Sequence, residues 1–159
     1  MIEVHTKATT KQFCEVDDII ELDHIQREKG RLKVTSKNGE EVRLFLERGK
    51  LLVRDQVLQS DCNKLLKVSL AKERVVTVRT NSWPIFSRAC YHLGNRHVRM
   101  QIGDRWLRFL EDPVLIELVE MFGLTTEICE DEFEPESGAY GHGQAGKPLE
   151  QEHQHAHKH

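Results

Sequence analysis

Two stretches of this chain carry helix punctuation at both ends, and short strand patterns surround them. Ser82-Trp83-Pro84 opens the first, with a serine cap and a proline in the first turn. Ile85, Phe86, Ala89, Cys90 and Leu93 then recur at the 3–4 spacing of one apolar helix face. Gly94 stands where a helix would stop, and Asn95 beside it also tolerates a left-handed backbone. Asp112-Pro113 opens the second helix, Val114, Leu115, Leu118, Val119 and Phe122 form its apolar face, and Gly123 closes it. Val75-Val76-Thr77-Val78 is a β-branched strand ahead of the first helix. Val98-Arg99-Met100-Gln101-Ile102 alternates, Gly103-Asp104 turns, Trp106–Leu110 returns, and Thr125–Cys129 is a final strand. The order β-α-β-β-α-β predicts a ferredoxin-like split βαβ domain.

The first part of the chain reads differently. Ile19–Leu22 is a short apolar run. Leu32–Thr35 alternates, Asn38-Gly39 marks a tight hairpin turn, and Val42–Leu46 leads away from it. Glu47–Lys50 is another turn, followed by Leu51-Leu52-Val53, and Leu65–Leu70 is one more strand. No long helix interrupts them. The expectation is an α+β chain: an all-β domain over 1–72, a ferredoxin-like domain over 73–135, and a tail over 136–159.

The chain has 159 residues, enough for one ordinary domain or two small ones. A net charge of −3 gives no reason to expect nucleic acid as a partner. No apolar run approaches the roughly 20 residues of a membrane span, and Met1–His5 lacks signal-peptide character, so no membrane association and a cytoplasmic location are expected. Cys14, Cys62, Cys90 and Cys129 form no CxxC pair and are expected to be reduced thiols, buried as small hydrophobes.

The end of the chain narrows the function. Glu130-Asp131-Glu132, Glu134 and Glu136 form an acidic stretch. Gly138, Gly141, Gly143 and Gly146 follow, and then His153, His155, His157 and His159 alternate with Gln154, Ala156 and Lys158. Such a segment buries too little apolar surface to offset its ordering entropy, so it is expected to be disordered without metal. The acidic run lacks the Gly-punctuated loop of a calcium site and reads as a solvated linker. Neutral imidazole is the commonest ligand for nickel, zinc and copper. A flexible run of histidines suits capture and hand-over better than catalysis, which needs fixed geometry. The interruptions set it apart from an expression tag. Affinity is expected to fall below about pH 6 as imidazoles protonate.

The ordered candidate is the turn after the first helix, Tyr91-His92-Leu93-Gly94-Asn95-Arg96-His97. His97 falls at a helix-to-strand junction on a well-held backbone. One imidazole is a weak site, because metal sites normally assemble three or four ligands. A two-fold dimer would supply a second copy of the same residue. His92, near a helix C-terminus, and His5 and His24, on the β domain, read as structural. His142, in the Gly-rich segment, is a candidate to join the tail. An enzyme reading finds no HExxH and no nucleophile–base set.

Arg88-Ala89-Cys90-Tyr91-His92-Leu93-Gly94-Asn95-Arg96-His97 resembles the signature of the urease accessory metallochaperone family, which delivers nickel. Gln101-Ile102, Leu107-Arg108, Phe122-Gly123-Leu124 and Phe133–Tyr140 match the family in the same order, and the His-rich tail is similar to tails common in it. The resemblance covers nearly the whole chain and is most specific over 82–140. It implies a β domain similar to a peptide-binding module and a homodimer formed through the ferredoxin-like domain. It implies one Ni(II) held across the two-fold by His97 of each subunit, with tail histidines adding capacity and Zn(II) or Cu(II) as competitors in vitro. The implied partners are a urease maturation GTPase, other urease accessory proteins and apo-urease. Some members carry extra histidines before the second helix, in a stretch resembling H-H-D-H-V-L. Here Leu110–Leu115 lacks those histidines, and Asp112, which remains, reads as a helix cap. The competing reading is a His-rich divalent-metal storage or buffering protein with no dedicated client.

Overall fold

The computed structural model describes residues 1–7, 15–47, 49 and 51–136. The first half contains β1 (Ile2–Val4), β2 (Thr6–Lys7), β3 (Asp18–Leu22), α1 (His24–Glu28), β4 (Arg31–Thr35), β5 (Glu41–Phe45), β6 (Val57–Gln59) and β7 (Leu65–Leu70). These strands form two sheets, in the orders β1-β5-β4 and β2-β6-β7-β3. The β1–β5 and β3–β7 pairs are parallel and the rest antiparallel. Alternation sends Ile2, Val4, Ile20, Leu22, Val42 and Leu44 into one shared core. Gly39 takes φ +84° at the hairpin expected from Asn38-Gly39.

The second half contains β8 (Lys72–Arg79), α2 (Trp83–Asn95), β9 (Gln101–Gly103), β10 (Trp106–Leu110), α3 (Pro113–Met121) and β11 (Thr125–Glu132). The order of elements is the β-α-β-β-α-β read from the sequence. The sheet runs β11-β8-β10-β9, antiparallel throughout. β8 pairs on both sides, and Val75, Val76, Thr77 and Val78 are all buried. Phe86, Ala89 and Leu93 of α2 and Val119 of α3 pack with Val76, Val78, Leu107 and Phe109 in a second core. Both helix starts are as expected. The Ser82 side chain accepts from the Ile85 N–H, and Asp112 Oδ1 accepts from the Val114 and Leu115 N–H groups.

Several expectations need correction. The N-terminal half is not wholly β. Asp23 caps α1 in a reciprocal box with Gln26, a D-x-x-Q signal that was legible in the sequence. Leu51–Val53 is not a strand, although Leu52 is fully buried in the core. Val98–Met100 is irregular, and only the end of the alternating run becomes β9. Cys62 is exposed, and Cys90 and Cys129 are half-buried instead of core thiols. The acidic segment is not a solvated linker. β11 continues to Glu132 by pairing with the start of β8, and Phe133 beyond it is fully buried. Composition misled here because distant arginines supply the counter-charge: Arg108 pairs with Asp131, and Arg54 with Glu132 and Glu134.

The Arg54 pairs belong to a clasp between the two halves, centred on α1. Arg27 is 2% exposed, and its guanidinium donates to the Phe133 carbonyl and, at 3.4 Å, to the Leu52 carbonyl. The His24 N–H donates to Glu73 Oε2 at 2.9 Å, and its ring meets Phe133 edge-on at 5.5 Å. Glu28 pairs with Arg99 at 2.8 Å. Removing the cation strands buried carbonyls. Arg27→Met is expected to lower stability by about 1–3 kcal/mol in urea denaturation, with the loss centred on the junction.

The His24 imidazole is buried, and neither ring nitrogen makes a hydrogen bond. Burial pushes its pKa below the ordinary 6.5, opposed by Glu28 and reinforced by Arg27 and Arg99. The unfolded chain therefore binds the proton more readily. The contribution of neutral His24 is complete above pH 6.5 and is lost as pH falls from there through the lowered folded value. His24→Leu should flatten that part of a stability-versus-pH curve measured on metal-free protein.

Candidate metal centre

The end of α2 holds His97 by a specific hydrogen-bond pattern. The His97 N–H donates to the Gly94 carbonyl at 2.9 Å, and the Val98 N–H reaches back to the Leu93 carbonyl at 3.2 Å. Together these two bonds make a Schellman end with Arg96 as the cap and His97 just outside it. His97 itself takes φ 55°. Gly94 lies inside the helix without a positive φ, and Asn95 is the last helical residue. The expectation that Gly94 would supply the left-handed turn is thus corrected. The register runs three residues further, because Leu93 anchors the last turn in the core and Val98 packs against the same cluster.

The α3 end provides an internal comparison. The Gly123 N–H donates to Glu120 O at 2.8 Å, the Leu124 N–H to Val119 O at 3.2 Å, and Gly123 takes φ +77°. The two helices end in the same motif, one with glycine and the other with an exposed histidine at the left-handed position. A side chain with a Cβ costs roughly 1 kcal/mol there. The imidazole of His97 therefore projects from a rigid turn, on a backbone that would be more relaxed with glycine.

Among the described residues, no group of three metal-ligating side chains includes His97. His92 is engaged elsewhere. Its ring stacks on Phe122 at 5.0 Å and meets Tyr91 at 5.3 Å, which agrees with a structural role. Asp112 is a helix cap, as its sequence position suggested. The other candidates, His142, His153, His155, His157 and His159, lie outside the described residues, as does Cys14.

His24 is buried in the clasp. His5 is exposed, and Glu3 and Asp61 stand beside it. Glu3 of β1 and His5 just beyond its end are two residues apart, a spacing visible in the sequence. Asp61 arrives from the turn after β6, a juxtaposition that local pattern does not announce.

Comparison with known proteins agrees with this architecture. Residues 3–71 match the N-terminal domain of the UreE urease accessory protein, and residues 73–159 match its C-terminal domain. A urease accessory protein UreE from Marinomonas sp. (strain MWYL1) is 46% identical over 143 residues, 90% of this chain and 97% of the relative. One from Alteromonas mediterranea is 48% identical over 126 residues, 79% and 82% of the two chains. One from Psychromonas ingrahamii is 42% identical over 143 residues, 90% of each. A two-domain α+β chain with these relatives is an accessory protein and not an enzyme. It belongs to the UreE urease accessory protein family.

The left-handed turn makes a prediction about the metal-free protein. His97→Gly is expected to raise its stability by about 0.5–1 kcal/mol, and His97→Val to lower it by about 1 kcal/mol or more. Urea unfolding of the two variants beside the parent chain checks both signs.

Proposed function

We propose that this chain is a nickel metallochaperone that delivers Ni(II) for assembly of the urease active site. The observation that carries the site assignment is His97 itself: an exposed imidazole kept at a left-handed helix end where its sister helix uses glycine. A residue held against its backbone preference is a functional candidate. Membership of the urease accessory family supplies the client. The reading of a storage protein without a client is not favoured, because these relatives are named for a client enzyme.

The domain of residues 73–135 is read as ferredoxin-like, and it dimerises. One Ni(II) is shared by His97 of each protomer across the two-fold axis. No group of three ligating side chains among the described residues includes His97, and a site completed by the partner copy fits that. α2 also leaves Trp83 and Tyr91 exposed along one face, apolar area suited to cover by another chain. The domain of residues 1–72 serves as a peptide-binding-like module. The tail of 136–159 collects metal through His153, His155, His157 and His159, with His142 as a further donor.

In this scheme the tail captures Ni(II) and passes it to the His97 pair. Docking of the urease maturation GTPase, other accessory proteins and apo-urease then triggers transfer in the cytoplasm. A site with two protein ligands leaves coordination positions for incoming donors, so transfer proceeds by exchange of ligands instead of release into water. Zn(II) and Cu(II) compete in vitro, as the divalent affinity order requires.

Nickel titration with mass measured by light scattering tests the scheme. A chain ending at Tyr140 is expected to bind one ion per dimer, and His97→Ala in that background to bind none. Equal stoichiometry in the two would remove His97 from the site. No binding in either would leave the tail as the only store.

A further inference from the structure

The cluster at the edge of the N-terminal half belongs to none of this. His5 Nε2 lies 3.4 Å from Asp61 Oδ2 and 3.8 Å from Glu3 Oε2. The three ligand atoms all fall within 4.8 Å of one another. We propose that Glu3, His5 and Asp61 form a divalent-cation site on the N-terminal domain, for a first-row ion that accepts one nitrogen and two oxygens.

The separations suit an ion. Bonds of about 2.1 Å in tetrahedral geometry put neighbouring ligand atoms about 3.4 Å apart. One contact already has that value, a second needs a shift of a few tenths of an ångström, and the third, between the two carboxylates, lies within 4.8 Å. The imidazole is oriented before any ion arrives, because its ring stacks on Phe45 at 4.8 Å with planes 9° apart. Asp61 is placed with equal care. Its N–H donates to the Glu3 carbonyl at 2.9 Å. Its turn is closed by Ser60, whose N–H donates to Lys64 O and whose Oγ accepts from the Lys64 N–H, both at 2.9 Å. Thr6 pairs with Gln59 beside it and holds the two segments in register.

Charge points the same way. Two carboxylates converge on one imidazole, and among the described residues neither forms an ion pair with a lysine or arginine. A divalent cation held between them would balance both carboxylate charges. Three protein ligands on an exposed surface leave positions for water or for another molecule's donor, so the site is exchangeable, and its one-nitrogen, two-oxygen set admits hard-to-borderline ions.

The site is independent of His97 and of the tail, so its test must resolve position. The full chain, labelled with nitrogen-15, is titrated with Mn(II), whose unpaired electrons broaden nearby amide signals. Mn(II) stands low in the imidazole affinity order, which limits competition from the tail. Broadening is expected first at Glu3, His5 and Asp61. His5→Phe keeps a ring against Phe45 and removes the ligand; Asp61→Asn keeps the shape and removes the charge. Each should raise the Mn(II) concentration for half-broadening at those amides at least tenfold. The remaining signals report that each variant is folded, and either variant suffices. Broadening spread over the acidic surface without preference for these residues, or unchanged in a folded variant, would overturn the proposal.

Discussion

Strand β8 is the constraint on which the C-terminal half depends. It lies between β11 and β10, and its middle residues are buried on both faces. Val76 and Val78 supply the floor on which Phe86, Ala89 and Leu93 of α2 rest. Leu93 then does two things at once: its side chain is fully buried in that core, and its carbonyl closes the helix end through the Val98 N–H. The position of His97 is inherited from that packing, residue by residue, and not from any contact of the imidazole itself. A strand that began elsewhere, or a smaller residue at position 93, would move the helix end and His97 with it.

Only Ala71 separates the end of β7 from the start of β8, so the two halves cannot drift far apart. The clasp around α1 completes the junction. Arg27, His24 and Arg54 reach the segment that follows β11, and Phe133 fills the space they surround. This explains why an acidic stretch that looks solvated folds back as ordered structure. Its charges meet arginines that lie far away in sequence, and one aromatic residue supplies the apolar burial that the composition lacked.

Much of the fold was legible because it rests on local rules. The helix starts at Ser82 and Asp112 and the hairpin at Asn38-Gly39 need only neighbours in sequence. The places that were not legible depend on tertiary partners. β1, β2 and β6 are too short to carry a period, and β11 lengthened because a partner strand was there to pair with. The end of α2 is the instructive case. Gly94 is the usual stop signal, but the core contacts of Leu93 and Val98 set the register, and the left-handed position passed to His97. The candidate ligand was found by motif, while the reason it is held so firmly came from the backbone. The Glu3–His5–Asp61 cluster shows the opposite limit, since only folding brings Asp61 to the strand.

His97 at this helix end is the proposed nickel ligand. Crystals of the nickel-loaded full chain, measured on both sides of the nickel absorption edge, address it directly. A nickel ion shared between two copies of His97 would give an anomalous peak about 2.1 Å from a ring nitrogen of each, on a two-fold axis. Nickel peaks only at other histidines, with His97 free in well-ordered density, would contradict it.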